Sequence, residues 1–142
     1  MSKIAVVYWS GTGNTEIMAD KVAQGAREAG ADVTICTSEN FTADQMDGYE
    51  GIAFGCPSMG DEELEETEFA PMFESCTAGL KGKRIVLFGS YGWGDGEWMR
   101  NWEEDCRGKG AVLAAESVIC NDTPDDEGEE KCRALGRALA EL

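Results

Sequence analysis

The stretch Ile4-Ala5-Val6-Val7-Tyr8-Trp9-Ser10-Gly11-Thr12-Gly13-Asn14-Thr15 passes from strand to loop to helix start within twelve residues. Ile4 to Tyr8 has four apolar residues and a β-forming Tyr with no period-two alternation, so it reads as a strand buried on both faces, as in a parallel sheet. From Thr15, the spacing of Met18, Val22, Ala26 and Ala29 predicts an amphipathic helix that ends near Gly30. The same unit recurs along the chain. Strands are expected at Asp32 to Cys36, Gly51 to Gly55, Arg84 to Gly89 and Ala111 to Cys120. Helices are expected at Phe69 to Cys76, Glu97 to Arg107 and Asp126 to Leu142, with a short ragged one around Thr42 to Asp47. The last helix places Cys132, Leu135, Leu139 and Leu142 on one face, and Trp98 and Trp102, four apart, belong to the core. Five such units with right-handed crossovers fit a doubly wound parallel sheet of order 2-1-3-4-5. Ligands bind such sheets outside the carboxyl ends of the strands, which directs attention to the loops after Tyr8, Gly55 and Gly89.

At 142 residues and 15.3 kDa, residues 1–142 are expected to form one domain. The formal charge of −16, from 12 basic and 28 acidic residues, repels phosphate backbones and anionic lipids, which argues against nucleic acid or a membrane as partner. No histidine is present, so His-dependent triads and His-ligated zinc are excluded. The six cysteines, at 36, 56, 76, 106, 120 and 132, contain no CxxC pair, and the start MSKIAVVYW lacks a cleavable apolar stretch. Reduced thiols in a cytoplasmic protein are the expectation. No apolar run approaches the length needed to cross a bilayer.

The first loop, Ser10 to Thr15, leads into a helix, so free N–H groups and the positive end of a helix dipole converge there. It offers hydroxyls and an Asn amide but no Lys or Arg. The Gly-Lys-Ser/Thr of a nucleoside-triphosphate loop is absent, and Glu16 replaces the third glycine of a dinucleotide fingerprint. A terminal monophosphate held by neutral donors remains. The second loop, Cys56-Pro57-Ser58-Met59-Gly60-Asp61-Glu62, holds a glycine able to take a positive φ, followed by an acidic run. Taken alone, that run is a solvated face and Met59 a core filler. The third, Ser90-Tyr91-Gly92-Trp93-Gly94-Asp95-Gly96, sets one indole between glycines, a platform for a planar aromatic ligand. Phosphate at one end and a flat ring at the other describe a mononucleotide.

VVYWSGTGNT (6–15), GCPSMGDEELEE (55–66) and LFGSYGWGDGEWM (87–99) resemble the flavodoxins, most closely the short-chain group of anaerobic bacteria. The resemblance implies a three-layer α/β/α sandwich on the five-stranded parallel sheet of order 2-1-3-4-5. It also implies non-covalent FMN and one-electron transfer between proteins, with no substrate turned over. Ser10, Gly11, Thr12, Gly13, Asn14 and Thr15 match the family's phosphate loop, with Ser90 close by. Ser58, Met59, Gly60, Asp61 and Glu62 match the segment along the inner face and the N5 and N3 edges of the flavin. Tyr91, Gly92, Trp93 and Gly94 match the segment carrying the outer stacking ring, with Trp93 where many relatives have Tyr. Asn121 falls where the family approaches the ribityl side. No metal is implied.

The implied activity is a low-potential carrier working between its half-reduced and fully reduced forms. A carbonyl at Gly60 would favour the first reduction, and Asp61, Glu62 and Glu63 would disfavour the anion formed by the second. The implied partners are redox proteins with basic docking surfaces: reductases and oxidoreductases, with nitrogenase- and hydrogenase-type systems among the candidates. A monomer is expected. The alternative is an FMN-dependent NAD(P)H:quinone reductase, but the chain has no segment to spare for a nicotinamide site. A phosphatase on a similar sheet needs Cys-x5-Arg, which no cysteine here supplies. A receiver domain needs an acidic pocket where this chain has a hydroxyl-rich loop.

Overall fold

Apolar strands that alternate with helices striped on one face can bury both kinds of surface only if the helices cover the two sides of one sheet. That is the arrangement in the computed structural model, which describes residues 2–60 and 62–141. The strands are β1 (Lys3–Tyr8), β2 (Asp32–Thr37), β3 (Gly51–Gly55), β4 (Arg84–Tyr91), β5 (Val112–Leu113) and β6 (Val118–Asn121). The helices are α1 (Asn14–Glu28), α2 (Phe69–Cys76), α3 (Glu97–Gly108) and α4 (Asp126–Ala140), and 3-10 turns occupy Ser38–Asn40, Ala43–Gly48 and Thr77–Gly79. All pairings among these strands are parallel, in the order β2-β1-β3-β4-β5, with β6 also on β4.

Alternate residues of the central strands feed two cores. Ala5, Val7, Ile52, Phe54, Ile85 and Leu87 face α2 and α3, where Trp98 and Trp102 are buried as expected. Ile4, Val6, Ala53, Val86 and Phe88 face α1 and α4. These two helices cross so closely that a Cβ on Gly136 would lie 1.9 Å from the Val22 carbonyl oxygen, and one on Gly25 equally near that of Arg133. All six cysteines are free thiols.

Two expectations need correction. The fifth strand, read as continuous from Ala111 to Cys120, is two strands. Ile85 pairs with Leu113 and Phe88 with Val118, so four residues (114–117) oppose two of β4 and the surplus bulges from the edge. The fourth strand continues past Gly89 to Tyr91, because Ser90 and Tyr91 pair with Cys120 and Asn121. The ragged second helix is the 3-10 turn over 43–48. Of the last helix's apolar face, Leu142 lies outside the described residues.

Candidate functional site

The loop after β1 begins where the Trp9 N–H donates to the Gly55 carbonyl at 3.0 Å. Gly13, with φ 97°, precedes the first residue of α1. The Ser10 hydroxyl accepts from the N–H groups of Gly13 (3.0 Å) and Glu16 (3.3 Å), closing the turn. The N–H groups of Thr12, Asn14 and Thr15 have no acceptor among the described residues, and they lie at or just before the helix start, where the dipole favours an anion. Thr15 is buried and acts as a buttress: its Oγ1 accepts from the Ser90 N–H at 3.4 Å and lies 3.2 Å from the Ser90 Oγ. The Asn14 Oδ1 accepts from the Thr123 hydroxyl at 3.0 Å, tying the loop to the turn after β6. Tyr8 donates to Glu16 at 3.2 Å, and burial, then that carboxylate, raises its pKa.

The loop after β3 is anchored before it turns. The Trp98 Nε1 donates to the buried Cys56 carbonyl at 3.2 Å, and the Ser58 N–H to the Ser90 carbonyl at 3.0 Å. Met59 and Glu63 then exchange two backbone hydrogen bonds of 2.8 Å around a turn in which Gly60 takes the positive φ, 53°, that its sequence allowed. Asp61 lies outside the described residues. Met59 is 39 % exposed, so it is not a core filler. Glu62, at φ 57°, turns its carboxylate to the start of α3, accepting from the Glu97 N–H at 3.2 Å against Gly94. It clamps the third loop to the second and does not face the cleft.

Within the acidic run, Glu65 is buried, contrary to the expected solvated face. It accepts from the N–H groups of Thr67 (2.9 Å), Glu68 (2.7 Å) and Phe69 (2.8 Å) and from the Thr67 hydroxyl, so it caps α2. Burial alone would raise its pKa, but these four donors outweigh burial and lower it.

In the third loop Trp93 is 61 % exposed, as a stacking platform requires, while Tyr91 packs on Trp98 with ring centroids 5.6 Å apart. Asn121, assigned to the ribityl side, donates instead to the Tyr91 carbonyl at 3.3 Å along the strand pair. Its neighbour Asp122, held at φ 54° by a 2.8 Å bond from its N–H to the same carbonyl, is the residue that reaches the cleft.

These loops enclose a cavity of about 220 Å3. The structure brings together there Gly11, Thr12 and Asn14 of the first loop, Ser58 and Met59 of the second, and Ser90, Tyr91 and Gly92 of the third. Ser10, Gly13, Thr15, Gly60, Glu62, Trp93, Gly94 and Asn121 support or flank it without lining it. Trp9, Pro57 and Asp122 line it and were not singled out from sequence. Two larger grooves, about 650 and 610 Å3, share Ala115, Glu116, Ser117 and Ile119 beside the bulged edge strand. Neither lies at the carboxyl-end crevice between β1 and β3, where the winding reverses.

A family model described as flavodoxin matches residues 6–136. The chain belongs to the flavodoxin family. The flavodoxin of Clostridium beijerinckii is 44 % identical over 137 residues, covering 96 % of this chain and 99 % of that one. That of Megasphaera elsdenii is 43 % identical over 137 residues, covering 96 % and 98 %. The solution structure of two-electron reduced Megasphaera elsdenii flavodoxin superposes with a TM-score of 0.90 over 98 % of this chain and 99 % of that one. The resemblance read from the three motifs, to the short-chain group, is therefore borne out. As a flavodoxin, the protein is an FMN-carrying electron-transfer protein that turns over no substrate of its own, and the quinone-reductase alternative is not favoured. Flavodoxins serve as redox carriers for other redox proteins. Among the described residues, no helix is long and apolar enough to cross a membrane.

Proposed function

We propose that this flavodoxin is a low-potential one-electron carrier. Residues 10–15 would hold its FMN phosphate, and Met59 and Trp93 would flank the ring. The observation that carries the reading is the nest: three unpartnered N–H groups at or just before a helix start, in a loop with no competing cation. The residues present fit the cofactor. The donors suit a monophosphate, Gly11 and Gly92 leave the cavity walls without side chains, and Met59 and Trp93 are the large apolar residues exposed beside it. A cavity of about 220 Å3 takes the tail, leaving the ring at its mouth.

Bound FMN supplies reversible one-electron transfer with proton uptake at N5. Toward that chemistry the Gly60 carbonyl, on a turn pinned by the two Met59–Glu63 hydrogen bonds, would accept a hydrogen bond from the protonated N5. The Trp93 indole excludes water from the outer face. The carboxylates of Asp122 and Glu63 would oppose any further negative charge. One such charge at about 10 Å and an effective dielectric of ~20 is worth about 1.7 kcal/mol, or about 70 mV, before screening.

We further propose that the chain works as one domain and a monomer in the cytoplasm. Its partners are reductases and oxidoreductases with basic docking patches, for which the −16 charge is the complement. Purification of the full chain tests the reading. A yellow protein that develops, then loses, long-wavelength absorption during anaerobic reductive titration is expected. A colourless protein that takes up no added FMN overturns it.

A further inference from the structure

One wall of the cleft, Trp9, has no part in the reading above. Its indole is half-buried and lies over the phosphate loop so closely that a Cβ on Gly11 would come within 2.9 Å of the ring. The Nε1 donates to the Glu68 carboxylate at 3.1 Å. Glu68, in turn, donates its own N–H to the buried Glu65 carboxylate at 2.7 Å, in the network that caps α2. One side chain therefore joins the loop that carries the free phosphate donors to the best-anchored part of the acidic segment.

We propose that Trp9 is a positioning residue for the phosphate end of the cofactor, fixing residues 11–14 in their binding conformation through its ring on Gly11 and its hydrogen bond to Glu68. The proposal rests on the reading of this cleft as the FMN site. The physical reason is preorganisation. The nest has no side-chain cation to draw a phosphate in, so its affinity depends on backbone N–H groups already converging, and every loop residue that the ligand must itself order weakens binding. The ring of the flavin makes no use of those groups. The latch therefore bears on FMN and not on riboflavin, which lacks the phosphate.

The test is a double-mutant cycle on the full chain with Trp9→Phe, which keeps an aromatic ring but loses the donor, and Glu68→Ala, which removes the acceptor from an exposed position. FMN and riboflavin are titrated by flavin fluorescence, and amide exchange is followed at residues 11–14. Each single variant is expected to raise the FMN dissociation constant about three- to tenfold, leave that of riboflavin unchanged, and speed exchange at 11–14. The double variant is expected to be no worse than the weaker single. Losing the Glu68 charge on its own would tighten binding of an anion, so weakening by Glu68→Ala supports the latch specifically. Equal losses for the two flavins, additive losses in the double variant, or unchanged FMN binding overturn the proposal. Wild-type protein that binds neither flavin overturns the reading of the cleft, and the proposal with it.

Discussion

Replacing Trp93 by Ala removes an indole that is 61 % exposed and so holds little of the fold together. A Trp side chain presents about 250 Å2, so about 150 Å2 of Trp93 is free, and one face of the ring is roughly half of that. Covering about 75 Å2 at about 25 cal/mol per Å2 is worth about 1.9 kcal/mol, to which aromatic stacking adds roughly 0.5 to 1.5 kcal/mol. The FMN dissociation constant should therefore rise about 60- to 300-fold. The stability of the cofactor-free chain should change by less than about 0.5 kcal/mol. Fluorescence titration measures the first quantity and urea unfolding the second. A variant that binds FMN within threefold of wild type refutes the assignment of Trp93 as a stacking face. A large loss of cofactor-free stability refutes the claim that the ring is there for a ligand.

Three further substitutions probe the scaffold. Gly136→Ala places a methyl 1.9 Å from the Val22 carbonyl oxygen, so it should cost about 3 kcal/mol in urea unfolding, and a wild-type midpoint would show that α1 and α4 can separate freely. Thr15→Val takes the acceptor from the buried Ser90 N–H; a loss of about 1–3 kcal/mol in the cofactor-free chain is expected, and none would mean that the pair supports nothing. Glu65→Gln should cost about 1–3 kcal/mol at neutral pH. The folded pKa of Glu65 lies below the 4.5 of a free glutamate, so its contribution is full above that pH and is lost as acid protonates the folded carboxylate; wild-type and variant Tm values should converge on acidification, and a constant gap would refute the linkage.

Hydropathy carried the fold to within a residue or two at most element ends, because strands buried on both faces and helices striped on one leave opposite periodicities. It failed where periodicity is silent. In Ala111 to Cys120 every short window is apolar enough for a strand, and nothing local records that β4 offers only two residues against 114–117. The candidate site was legible wherever a residue type suggests the chemistry, as with glycines and hydroxyls before a helix or an indole between glycines. It was illegible where the role depends on direction. Asn121 and Asp122 are equally polar, and only the pleat of β6, with the positive φ that follows it, decides which one reaches the cleft. Glu62 and Glu65 sit in a run of acids that look alike in sequence, yet one clamps α3 and the other is buried under four donors. Trp9 was not legible either, because its role depends on a partner, Glu68, that is 59 residues away in the chain.

A phosphate dianion held as proposed, without a cation and by a chain with a charge of −16, poses a question of magnitudes. The helix start contributes about half a positive charge. At about 3.5 Å and an effective dielectric of ~20, its attraction for a dianion is worth about 5 kcal/mol. The sixteen surplus negative charges lie on average about 15 Å away, near the radius of a domain this size. Through water and a Debye length of about 8 Å, they repel the dianion by only about 1 kcal/mol in total. The local term wins at physiological salt. At about 0.01 M ionic strength the Debye length is about 30 Å and the same repulsion grows to about 5 kcal/mol, enough to cancel the attraction. FMN should therefore bind more tightly as salt rises from about 0.01 to 0.15 M, by up to about 4 kcal/mol, whereas a phosphate site built on Lys or Arg weakens over the same range. Titration across that range decides on sign alone: affinity that falls with salt would mean that a cation, and not the backbone of residues 10–15, holds the phosphate.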